Sequence, residues 1–357
     1  MRFSRIIFLL LAPAVLLFTT VSFAQTTVNK KYTVQKKVDC SKGAVVSAHP
    51  LASIVGINIL KKGGNAIDAA IATQLALAVV YPGAGNIGGG GFMVAHLKNG
   101  NNITLDYREK APAKATRDMY LDEKGEPQMN LSQDGHLAAG VPGTVAGLFA
   151  SMKYASLPFK TLIQPAIDLA EKGFAITERQ AVSLNSTRKE FVALNTSPVA
   201  FVKDSAWKAG DILIQKELAN TLKRIRDLGQ KGFYEGETAR LIVAEMQKGK
   251  GIISLDDLKN YQAKERAALD FNYKGYQVIT MPLPSSGGII LQQMMKMIED
   301  RNIAAMKFQS AESVQLMTEV ERRAYADRGE FLGDPDFVKV PVKTMVSADY
   351  LKERMKD

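Results

Sequence analysis

One cysteine in 357 residues, Cys40, excludes an internal disulfide, so packing alone must hold the fold. Three histidines, His49, His96 and His136, are too few and too scattered for a metal centre. His96 sits in an alternating stretch and reads as a packed or edge residue rather than a base. Aromatics make up only 8% of the chain, and no basic run is interleaved with them. A nucleic-acid partner is therefore not expected despite a formal charge of +10. Past the N-terminus there is no apolar run long enough to cross a membrane.

What is present is an ordinary globular composition, 46% apolar, enough for a sizeable core. The first 24 residues have the order of a secretory signal. Arg2 and Arg5 are followed by the apolar run 6–18 and then by Ser22-Phe23-Ala24, a small-x-small cleavage site. The run is short for a membrane anchor and has no stop-transfer flank, so cleavage after Ala24 and export to the periplasm or medium are expected. No cysteine stands at the cleavage point, which argues against a lipoprotein. Removing Arg2 and Arg5 leaves +8. Residues 25–43 are polar, basic and aperiodic, a flexible leader. Residues 44–357 then form one domain.

Within that domain a short strand is expected at 44–47, with Pro50 turning the chain out of it, and then a helix over 51–62 stopped by Gly63-Gly64. Asn65, with Asp68 three residues on, caps a second helix over 66–80. That segment is Ala-rich and apolar on nearly every face, so it belongs in the interior of a layered fold. Strands are expected at 92–97 and 102–107 around Asn99-Gly100, a strong hairpin signal. Helical spacing recurs at 144–154, 159–172, 177–184, 216–228, 237–248 and 254–261. A second hairpin, 268–271 with 276–281, turns at Lys274-Gly275, and helices follow at 286–301 and 311–328. The strand–helix mixture indicates a layered α+β fold.

Three motifs invite a chemical reading. Gly83-Ala84-Gly85-Asn86-Ile87-Gly88 matches G-x-G-x-x-G, but a helix precedes it and a hairpin follows, the reverse of a dinucleotide fingerprint. It reads instead as a loop where backbones approach closely. Ser285-Ser286-Gly287-Gly288 lacks the G-x-S-x-G frame and an evident histidine, and reads as a turn capping the helix over 289–299. The third is Arg108, beside Glu109 at the end of the second strand. A guanidinium there can fork onto a carboxylate or phosphate, or can simply pair with Glu109 or Asp106 at the surface.

Several long segments occur in a fixed order: GGNAIDAAIATQLALAVVYP, GNIGGGGFMV, LDYREKAPAKATRDMYLD, AAGVPGTVAGL, MPLPSSGG and YADRGEFLGDPDFVKVP. Together, over about residues 44–341, they resemble the gamma-glutamyltranspeptidases, also called glutathione hydrolases. The resemblance implies the large-subunit portion of an N-terminal-nucleophile hydrolase, a four-layer αββα sandwich when complete. It implies gamma-glutamyl transfer from glutathione to water, amino acids or peptides through a covalent glutamyl-enzyme, with no cofactor or metal. It places Arg108 on the α-carboxylate of the small-molecule glutamyl substrate. It also implies autocleavage of a zymogen and a small subunit as heterodimer partner. The nucleophilic threonine of a T-T-H-type motif is then expected beyond Asp357, since Thr19-Thr20 and Thr26-Thr27 lie in the signal and leader. This chain by itself is expected to be inactive. Two other readings stay open: a non-catalytic remnant or glutamyl-binding module, and a sister acylase of the same fold.

Overall fold

A computed structural model describes residues 39–356. The expected signal segment 1–24 lies outside the described residues, as does the leader up to residue 38. The chain divides into Met1–Lys42 and Gly43–Asp357. Residues 39–42 of the first unit are exposed and belong to no helix or strand.

Helix α1 spans Pro50–Lys61. Pro50 is its first residue rather than the end of a strand, a position where the missing N–H costs no hydrogen bond. His49 caps it, Nδ1 accepting the Leu51 N–H at 3.2 Å. The strand expected at 44–47 does not form. Its side chains alternate in burial, but a strand exists only with a partner ladder, and none of the described residues pairs with it; Val46 is 93% exposed.

Helix α2 spans Ala66–Val80 with the expected Asn65–Asp68 capping box, and eleven of its residues are buried. It packs between α1 and the later helix at 159–172. Small residues let α1 and α2 approach closely: a Cβ on Gly56 would lie 2.3 Å from Thr73 Oγ1.

Strands β1 (Phe92–His96) and β2 (Asn102–Asp106) form the expected hairpin, turning through Gly100 at φ +86°. Helices α3 (Thr144–Ser151), α4 (Phe159–Lys172) and α5 (Lys216–Leu228) follow, and their apolar faces join α1 and α2 in the main core. A three-residue strand, β3 (Lys264–Arg266), pairs antiparallel with β2 and makes a sheet of order β1-β2-β3. The second hairpin, β4 (Leu269–Tyr273) and β5 (Tyr276–Thr280), turns through Lys274 and Gly275, both at positive φ as such two-residue turns require. Helices α6 (Gly287–Ile298) and α7 (Ala311–Phe331) pack on each other beside two smaller apolar clusters.

Candidate functional site

The site grows from the end of β2. Past Asp106 the strand geometry continues for one residue, because Tyr107 exchanges two backbone hydrogen bonds with Gly91 at 3.1 and 3.2 Å. The loop at 83–91 is the close backbone approach expected of it. A Cβ on Gly90 would lie 2.5 Å from the Tyr107 carbonyl oxygen. The Tyr107 ring is buried, and only glycine fits against it at 147, where a Cβ would fall 2.2 Å from its Cγ. Gly89 also receives the Gly143 and Thr144 N–H groups at 2.7 and 3.0 Å, which ties α3 to the loop.

This packing delivers Arg108 at the open end of the sheet with a fixed backbone and a free side chain. Its N–H donates to Asp106 Oδ1 at 3.2 Å, and its carbonyl accepts the Tyr261 hydroxyl at 2.7 Å. Tyr261 stacks on Tyr234, with centroids 5.9 Å apart and planes within 5°. Tyr234 in turn donates to the Pro142 carbonyl at 2.9 Å and accepts the Ala146 N–H at 3.1 Å. Burial pushes both phenols above their ordinary range, so each remains a protonated donor throughout the neutral range. The Arg108 guanidinium is exposed and has no hydrogen bond or ion pair with any described residue.

The surface pairing with Glu109 or Asp106 does not occur. Asp106 Oδ2 is taken by Arg266 Nε at 2.8 Å, a pair brought together by the β2–β3 register. Arg266 also reaches Asp336 at 2.9 Å, and Lys264 reaches the same carboxylate at 2.6 Å. The Glu109 carboxylate lies against the glycine loop instead: a Cβ on Gly90 would be 2.8 Å from its Oε2. These groups line a cavity of about 540 Å³ together with Pro284, Ser286, Arg328 and Leu332. That volume suits a small metabolite or short peptide.

The pairs with Arg266 and Lys264 hold the Asp336 carboxyl well below the usual carboxylate range. A depressed value means that the stabilisation is complete above the unfolded value, about 3.9, and is lost only as pH falls through the folded one. Asp336→Asn should therefore lower thermal stability at pH 7 by under about 1 kcal/mol, since the carboxylate is partly solvated. The gap from the parent should stay level down to about pH 4 and narrow below it. Melting curves across pH 2–7 test this; a gap that closes above about pH 5 would contradict it.

Of the other sequence candidates, Ser286 lines the same cavity and the histidines lie elsewhere. Ser286 sits at the start of α6, as the turn reading has it, but its Oγ accepts Arg328 Nε at 3.1 Å and does not cap the helix. His96 pairs with Asn102 across the first hairpin at 2.7 Å, and His136 with Glu245 at 2.9 Å. No cluster of three or more His, Cys, Asp or Glu side chains is placed to hold a metal among the described residues. Tyr261, Arg266 and Asp336 had no assigned role in the sequence. Tyr261 lies 153 residues from the carbonyl it holds, and nothing local marks it.

The gamma-glutamyltranspeptidase family profile matches residues 52–357. The chain belongs to that family. It is 45% identical over 318 residues to the glutathione hydrolase proenzyme of Escherichia coli K12, covering 88% of this chain and 55% of that protein. It is 36% identical over 333 residues to the acylase ACY 1 proenzyme of Pseudomonas sp. V22, covering 90% and 60%. Among solved structures, Helicobacter pylori gamma-glutamyltranspeptidase superposes with a TM-score of 0.86 at 47% identity, covering 89% of this chain and 92% of that one. The fold is thus α+β and of the N-terminal-nucleophile hydrolase type expected for the family. The chain spans about half the length of the curated relatives it matches, and those relatives are proenzymes. No described helix is long and apolar enough to cross a membrane.

Proposed function

We propose that the whole protein transfers gamma-glutamyl groups from glutathione and related compounds to water, amino acids or peptides. The observation that carries this reading is Arg108: a guanidinium unpaired among the described residues, with a fixed backbone, in the LDYRE frame, on a cavity of metabolite size. The name of the Escherichia coli relative supports the same substrate class. In the proposed reaction a threonine hydroxyl of the small subunit attacks the γ-carbonyl. The amide nitrogen leaves as the protonated amine, and water or an acceptor amine then takes the acyl group from the ester. This chain contributes substrate placement: Arg108 holds the α-carboxylate, and Asp106 and Tyr261 hold Arg108. No cofactor is called for. The partner is the small subunit produced by autocleavage of a common precursor.

The test is steady-state hydrolysis of gamma-glutamyl-p-nitroanilide by the full-length, processed protein. Release of p-nitroaniline well above background, with loss on Arg108 substitution, supports the reading. A processed protein that binds glutamate without turnover would favour the binding-module reading. One that cleaves other acyl amides but no gamma-glutamyl amide would favour the sister acylase, which the 36% identity to an acylase keeps in view.

We also infer export. The charge–apolar–small order of residues 1–24 supports removal after Ala24. Mass spectrometry of periplasmic or secreted protein should find Gln25 at the N-terminus; intact Met1 in the membrane fraction would refute it.

A further inference from the structure

The cavity at the end of β2 holds a second guanidinium that forms no ion pair among the described residues. Of the acidic groups on its wall, Asp106 and Asp336 are committed to Arg266 and Lys264. Glu109 lies over the glycine loop, and Asp334 Oδ1 accepts the Asp336 N–H at 2.9 Å. Arg328, on α7, lines the same cavity as Arg108. Its Nε donates to Ser286 Oγ at 3.1 Å, and it has no carboxylate partner among the described residues. A neutral hydroxyl orients a guanidinium without neutralising it, and both terminal NH2 groups are left for another acceptor.

Two guanidiniums with free terminal NH2 groups thus line one cavity, beside the carboxylates of Glu109 and Asp334. A ligand with two separated carboxylates would give each an acceptor. We propose that Arg328 recognises a second carboxylate of the substrate, the C-terminal carboxylate of a gamma-glutamyl peptide, while Arg108 takes the glutamyl α-carboxylate. The inference rests on the gamma-glutamyl reading above and adds to it a preference for peptide donors that end in a free carboxylate. Arg328 is then a specificity residue. It touches the leaving half of the donor, so its contribution depends on what that half carries.

The full-length, processed protein is assayed with glutathione, with glutathione bearing a C-terminal carboxamide, and with gamma-glutamyl-p-nitroanilide. The parent should use glutathione about tenfold or more better in kcat/KM than the carboxamide, as loss of a charge-assisted pair implies. In Arg328→Gln that preference should collapse to about twofold or less, while Arg328→Lys, which keeps charge but loses the fork, retains part of it. An unchanged preference in Arg328→Gln overturns the proposal. So does a parent that uses the two peptides equally, a comparison that needs no variant and stands even if Arg328→Gln fails to fold or process. Failure of the gamma-glutamyl reading looks different: the parent would turn over none of the three substrates, and this inference would fall with it.

Discussion

Arg108→Ala in the full-length, processed protein is expected to lower kcat/KM for gamma-glutamyl substrates by about two to four orders of magnitude. A guanidinium that grips a carboxylate bidentately makes two charge-assisted hydrogen bonds of about 1.5–3 kcal/mol each, and about 1.4 kcal/mol is a factor of ten. No partner among the described residues competes for the Arg108 side chain. Asp106, two residues away, is occupied by Arg266, and the adjacent Glu109 lies against the glycine loop. Arg108→Lys keeps the positive charge and loses the planar fork, so it should fall between parent and alanine variant. The α-carboxylate is remote from the scissile amide. The loss should appear in KM where the contact holds ground and transition states alike, and in kcat to the extent that it aligns the γ-carbonyl with the nucleophile. Folding should be nearly untouched, within about 0.5 kcal/mol, since the side chain is exposed. Subunit processing should proceed, because no free glutamyl carboxylate takes part in it. Steady-state kinetics with processing checked on a gel decide the matter. Parental kcat/KM in a processed Arg108→Ala protein would show that the residue is only a surface cation.

The largest effect on stability is expected at Asp68. This carboxylate is fully buried in the first turn of α2. Its Oδ2 accepts the Asn65 N–H at 2.8 Å, closing the capping box, and its two oxygens also accept the Ser156 N–H at 3.0 and 3.1 Å. The Leu157 N–H adds a further bond at 3.0 Å. Asn65 reinforces the join, its Nδ2 donating to the Tyr154 carbonyl and to Ser156 Oγ at 2.8 and 2.9 Å. One side chain thus satisfies three backbone donors and fastens the central helix to the turn before α4. Asp68→Ala leaves those donors without it, at roughly 1–3 kcal/mol each, against a total stability of about 5–15 kcal/mol. The melting temperature should fall by on the order of 10 °C, or soluble protein should be lost altogether. Asp68→Asn retains one acceptor oxygen and should lose less. Because α2 leads directly into the glycine loop that backs Tyr107, the destabilised protein should also lose activity at temperatures where the parent keeps it. A melting temperature within about 2 °C of the parent in Asp68→Ala would refute this account.

The parts of the fold legible in the sequence are those whose determinants lie within a few residues of each other. The capping box at Asn65 and Asp68, the unbroken apolar run of α2, and the helical periodicity of α4 and α5 act over one or two turns. The hairpin turns at Asn99-Gly100 and Lys274-Gly275 need only the backbone freedom of those residues. Arg108 was legible too, first as a guanidinium at a strand end and then through the motif around it. What tertiary structure alone decided is everything that rests on pairing across the chain. Residues 44–47 alternate like a strand and are not one, because a strand needs a neighbour to complete its hydrogen bonds. Lys264–Arg266 carries no alternation and is a strand, because β2 supplies that neighbour. The same nonlocality governs the site. Asp106 is separated from Arg266 by 160 residues and Arg108 from Tyr261 by 153. Arg108 has no side-chain partner among the described residues because folding gives Asp106 to another arginine and lays Glu109 against the glycine loop. The sequence could name the guanidinium, but short-range rules do not carry a competition between distant partners; that was settled by the register of β2 against β3.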